Sequence, residues 1–155
     1  MSNFNFCPLS WHFCSKGNTD KIEKIQLRAL RFVYEDYTSS YQELLIKAKL
    51  PSLHIRRMRT MAVETFKIIN GIAPPVLDGL LNKRDNIYNF RYSNILQIPQ
   101  VKTTKFGKNS FSYAAPVLWN SLPDQFRKEA DFNQFKNLIS CWNGTDCKCM
   151  ACKFT

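Results

Sequence analysis

The sequence predicts a mainly α protein: a small helical bundle followed by an irregular C-terminal region with short helices. Two observations carry that expectation. Apolar residues recur at helical spacing in successive segments between Asp20 and Ile69, and these segments are punctuated by capping residues, Gly71 and prolines. Beyond Pro75 the periodicity weakens, and Pro116 and Pro123 divide what helix remains.

The first helix is expected from about Asp20 to Tyr34. Asp20 can cap it, Glu23 stands three residues on as in a capping box, and Ile22, Ile25, Ala29, Phe32 and Val33 fall on one face. Ser40 and Glu43 form a second capping box, opening a shorter helix with Leu44, Leu45 and Ala48 inside, which must end before Pro51. Ser52 caps a third helix whose inner face reads Ile55, Met58, Ala62, Phe66 and Ile69. Gly71 is its left-handed terminator, with Pro74 and Pro75 beyond.

Val76–Leu81 has room for one or two helical turns, and residues 82–100 read as mostly irregular. Residues 101–113 are basic and polar. Gly107 there marks either a turn between two extended pieces or a loop leading to a helix near Phe111. Pro116 and Pro123 bracket a short helix with Val117, Leu118 and Trp119. A last helix from Asp131 to about Trp142 aligns Phe132, Phe135, Leu138 and Ile139. The organisation expected is residues 1–17 as the end of something larger, 18–73 as a helical unit, 74–142 as a mixed connector with short helices, and 143–155 as a Cys-rich tail.

With 45% hydrophobic and 14% aromatic residues, the 155-residue chain can fill one core and is a poor candidate for disorder throughout. Its formal charge of +10 favours a polyanionic partner, because counterions released from a phosphate backbone drive association. A solvated basic surface is the plainer alternative. The opening residues do not read as a signal peptide, and no stretch is apolar for long enough to span a bilayer. An intracellular setting, nucleus or cytoplasm, is therefore expected, with no membrane partner and with the six cysteines reduced.

Cationic groups recur in three places. Lys21, Lys24, Arg28 and Arg31 line one side of the first helix beside its apolar stripe, a spacing suited to a row of phosphates or to water. His54, Arg56, Arg57 and Arg59 crowd the start of the third helix, where the helix dipole disfavours cations by about 0.3–1 kcal/mol each. Broken local rules of this kind gather at functional sites, and a phosphate fits there; carboxylates from elsewhere in the chain are the alternative. Arg91, Tyr92, Lys102, Lys105, Phe106 and Lys108 interleave cations with rings, as single-strand binders do and as core residues under a loop also do.

Cys147, Cys149 and Cys152 form C-x-C-x-x-C, with Cys141 as a further thiolate. Zinc is the candidate cofactor, against reduced cysteines on a frayed tail. No phosphate-binding glycine loop, H-E-x-x-H, nucleophile elbow or adjacent Asp pair is present, and His12 and His54 have no catalytic companions nearby in sequence. A non-enzyme is the expectation.

In order along nearly the whole chain, Cys7-Pro8-Leu9-Ser10-Trp11, Lys24-Ile25-Gln26-Leu27-Arg28-Ala29-Leu30-Arg31, Leu50-Pro51-Ser52-Leu53-His54, Phe66-Lys67-Ile68-Ile69-Asn70-Gly71, Phe111-Ser112-Tyr113-Ala114-Ala115-Pro116, Leu118-Trp119-Asn120-Ser121-Leu122-Pro123 and Cys147-Lys148-Cys149-Met150-Ala151-Cys152 resemble the C-terminal part of reverse transcriptases from jockey-like and related non-LTR (LINE-type) retrotransposons. The resemblance implies that the 18–73 unit is a thumb-like helical bundle gripping template and primer. It further implies that the polymerase palm, with its catalytic Tyr-x-Asp-Asp, belongs upstream, and that Met1 is an internal methionine of a longer frame, whether a truncated copy or a domesticated remnant. Lys21, Lys24, Arg28, Arg31, Arg56, Arg57 and Arg59 would then lie near RNA or DNA backbone. Without a palm, apolar groups such as Trp11 and Phe32 would be exposed and would seek a protein surface, the second partner class considered.

Overall fold

The computed structural model describes residues 16–84 and 94–144, with Lys16 and Lys105 described by their backbone alone. Among the described residues the α-helices are α1 (Lys16–Tyr34), α2 (Tyr41–Ala48), α3 (Leu53–Ile69), α4 (Phe111–Ser121), α5 (Asp124–Arg127) and α6 (Phe132–Cys141). A short turn of 3-10 helix (Pro75–Leu77) and a π-helical turn (Thr104–Lys108) lie between α3 and α4. The protein is mainly helical, as the sequence predicts. The chain forms two compact units, Met1–Arg57 and Met58–Thr155, and the division falls within α3.

In the first unit α1 packs on α2, with Leu30, Leu44 and Leu53 buried. The expected start and inner face of α1 are both corrected. The helix begins at Lys16, so Asp20 lies inside it instead of capping it. Glu23 does not close a local box: its carboxylate accepts N–H groups from Leu53 and His54 and the Tyr41 hydroxyl. With Glu23 turned toward α3, helical spacing puts Gln26 and Leu30 on the same inward side, and both are buried. The stripe of Ile25, Phe32 and Val33 is thereby turned to solvent, Phe32 being 78% exposed.

Local chemistry fixes the helix ends. Ser40 and Glu43 make the expected reciprocal box on α2. The Ser52 Oγ accepts from Ile55 N at 3.3 Å, as expected of an N-cap. At their C-terminal ends α1, α2 and α3 share one arrangement. Asp36 N donates to Arg31 O, Leu50 N to Leu45 O and Ile72 N to Lys67 O, across left-handed residues Glu35, Lys49 and Gly71. Only the last is the glycine that a sequence pattern can recognise.

The second unit is organised around Phe66, whose ring stacks on Phe135 at 4.5 Å between centroids and meets Phe132 and Trp119 at 6.0 and 6.5 Å. Met58, Ala62 and Phe66 are buried as expected, joined by Met61, Thr65 and Ile68, whereas Ile69, like Ile55 in the first unit, is only half-buried. Pro116 is corrected too: it lies inside α4 and is fully buried, because the helix starts at Phe111. Asp131 caps α6 as expected, accepting from Gln134 N at 2.8 Å.

Residues 101–113 follow the loop-then-helix alternative. Residues 82–84 and 94–100 are irregular apart from an antiparallel bridge between Lys83 and Leu96, flanked by Arg84 N to Ile95 O and Gln97 N to Asn82 O. Arg91 and Tyr92 lie outside the described residues, as do residues 1–15 and the tail from residue 145.

Candidate nucleic-acid interface

At 100° per residue, Lys24, Arg28 and Lys21 occupy a continuous arc of α1, with Phe32 and Ile25 immediately beside it. All five side chains are exposed. Arg31 lies at the rim, half-buried, with its Nε inaccessible to solvent. Of the two acids in α1, Glu23 faces inward and exposed Asp20 borders the arc, four residues before Lys24. Ion pairs among the described residues include Lys47–Asp36, Lys67–Glu64, Arg127–Asp124 and Lys128–Asp124, and none engages Lys21, Lys24 or Arg28. A row of exposed cations engaged in no ion pair among the described residues can neutralise successive phosphates.

The basic crown of α3 has a different disposition. Glu23 already occupies the α3 N-terminus, receiving His54 N at 2.9 Å and Leu53 N at 3.4 Å. The phosphate expected at that helix end is thus replaced by an internal carboxylate, which meets the exposed N–H groups and the positive end of the dipole together. Burial, then the hydrogen bond to Glu23 and the carboxylate's charge, raise the pKa of the Tyr41 hydroxyl above its ordinary 10.0, while Arg56 and Arg57 pull it down. Tyr41 consequently stays protonated as a donor.

Arg57 is 2% exposed, which removes it from any surface that a polymer could reach. In the second unit, Arg59 donates from Nε to Trp142 O at 2.9 Å and from Nη2 to Asn143 Oδ1 at 3.5 Å. It thereby places its charge beside the carbonyl of Trp142, the C-cap of α6, where cations are favoured. His54 and Arg56 are half-buried. The α3 cations therefore do not form one solvent-facing cluster, and α1 supplies the exposed basic face.

Lys102 is exposed just before the π-helical turn and Lys108 at its end, and Phe106 is 74% exposed on it. Lys105 lies in the same turn. Cys141 is exposed at the end of α6, and no group of three or more His, Cys, Asp or Glu side chains converges among the described residues. Cys147, Cys149 and Cys152, the other thiolates of the zinc expectation, lie outside them.

The Trp-Asn pair of the 118–123 motif has a structural role that spacing alone did not reveal. Trp119 Nε1 donates to Asn94 O at 2.9 Å. The Asn120 amide accepts from Leu96 N and donates to Leu96 O, both at 2.9 Å. Asn94 in turn donates to Arg127 O at 2.9 Å. Two side chains thus satisfy the edge of the 94–96 segment as a neighbouring strand would. No helix among the described residues is long and apolar enough to cross a membrane. Neither the protein-family models, nor the curated proteins, nor the solved structures contain a match to this chain.

Proposed function

We propose that this chain is a non-catalytic module that binds RNA or DNA through the sugar-phosphate backbone, inside the cell, in nucleus or cytoplasm. In this reading it corresponds to the C-terminal thumb and tail of a non-LTR retrotransposon reverse transcriptase, whose polymerase chemistry belongs to a separate palm. The observation that carries the reading is the exposed arc of Lys21, Lys24 and Arg28, unengaged by any carboxylate among the described residues. The surplus of +10 supports it by favouring long-range attraction to polyanions. Zinc held by Cys141, Cys147, Cys149 and Cys152 belongs to the same proposal, as a means of ordering the tail.

The test is titration of a labelled oligonucleotide at several salt concentrations. Binding weakens steeply with salt, and K21A/K24A/R28A flattens the logarithmic slope by about 2–3, one unit or slightly less for each lost phosphate contact. Salt-independent binding, or an unchanged slope in the triple variant, rejects the proposal.

A second reading, a protein-interaction module, is favoured by the outward stripe of Ile25, Phe32 and Val33. Capture of a partner that survives nuclease treatment and is lost in I25S/V33S supports that alternative.

A further inference from the structure

The π-helical turn is a built element. Thr103 Oγ1 accepts from Gly107 N at 3.0 Å, Lys108 N donates to Thr103 O at 3.2 Å, and Ser110 Oγ donates to Gly107 O at 2.7 Å. A Cβ on Gly107 would meet Val101 Cβ at 2.7 Å, so the turn closes against Val101 only because glycine stands there. Helical turns closed by this i→i+5 bond are rare overall and are frequent at functional sites. The fixed turn presents Phe106 with 74% of its surface exposed, among the exposed residues Lys102, Thr103, Thr104, Lys108 and Asn109. None of the ion pairs among the described residues uses Lys102 or Lys108.

Among the described residues the turn offers one exposed aromatic ring with polar and cationic neighbours in sequence, far less apolar area than a protein interface, which takes about 800 Å² from each partner. It matches the face of one nucleobase, with cations at hand for the adjoining phosphates. Bases of a duplex are already stacked and cannot take up such a ring, whereas an unpaired base can. We infer that the 101–110 turn is a base-stacking site for single-stranded nucleic acid, with Phe106 as the stacking platform and Gly107 as the residue that positions it. This rests on the proposed nucleic-acid function for its class of partner and adds a preference for unpaired strands.

The experiment compares the full chain with F106A, F106Y, F106L and K21A/K24A/R28A. The ligands are an unstructured oligouridylate, an oligothymidylate and a duplex of equal length. Phe106→Ala is expected to weaken single-strand binding about tenfold while leaving duplex affinity and the salt slope unchanged, because stacking is not an ionic contact. Phe106→Tyr restores single-strand binding and Phe106→Leu does not. Equal loss on duplex and single strand, or full activity of the Leu variant, overturns the inference. If F106A binds normally while K21A/K24A/R28A flattens the salt slope, the stacking site falls and the backbone function stands. If F106A loses single strands while the triple variant keeps its slope, stacking stands and the α1 interface falls.

Discussion

The Glu23 carboxylate on α1 accepts the backbone N–H of His54, thirty-one residues on, at 2.9 Å. Through it one helix supplies the N-terminal cap of another, and Tyr41 adds its hydroxyl to the same carboxylate. Glu23→Ala should destabilise the fold by about 1–2 kcal/mol in denaturant unfolding, through lost caps and a helix end left short of acceptors. Glu23→Gln, which keeps an acceptor but loses the charge, should cost less. An unaltered midpoint in Glu23→Ala contradicts the assignment.

Asp36 holds the loop after α1, accepting from Thr38 N, Thr38 Oγ1, Ser39 N and Ser39 Oγ. The hydrogen bonds to Ser39, side chain first, lower its pKa from the ordinary 3.8 to about 2. Because the folded value lies below the unfolded one, its contribution is fully present above about pH 4 and disappears as pH falls toward 2. Carboxylate NMR titration should give a midpoint near 2 for Asp36 in the folded chain. Asp36→Asn should flatten the pH dependence of stability across that window.

Lys49 takes φ of 52° at the end of α2, in the left-handed region where a side chain is strained by roughly 1 kcal/mol. Lys49→Gly should therefore raise stability by up to about 1 kcal/mol despite the flexibility it adds to the unfolded chain. A fall in melting temperature would show that the lysine makes a compensating interaction.

Asn120 is the sole described side chain that both accepts from and donates to the backbone of buried Leu96. Asn120→Ala leaves that N–H and C=O short of partners and should cost about 2–3 kcal/mol. Asn120→Asp keeps the acceptor, loses the donor and should fall between. Hydrogen exchange at the Leu96 amide should accelerate in both variants, more so in the alanine.

Features determined by neighbours in sequence were legible. The Ser40 and Glu43 box, the Ser52 and Asp131 caps, the Gly71 terminator and the helical course of α3 and α6 all depend on residues within a turn of each other. What sequence reading missed was set across distance. Glu23 has the spacing of a local capping box, and only the fold reveals that it caps α3; that orientation turns the apolar stripe of α1 outward. Glu35 and Lys49 adopt left-handed conformations without the glycine that announces them. The basic crown of α3 was visible as a charge pattern, but the burial of Arg57 and the attachment of Arg59 to Trp142 depend on tertiary packing. The α1 cations were legible because helical periodicity alone aligns them.

Lysine footprinting tests the proposed contact surface most directly. The full chain is acetylated briefly with and without saturating single-stranded oligonucleotide, and the modified positions are read by mass spectrometry. Protection of Lys21 and Lys24, with exposed Lys136 on α6 still reactive, is the predicted result. Unchanged reactivity of Lys21 and Lys24 in the saturated complex would contradict the account.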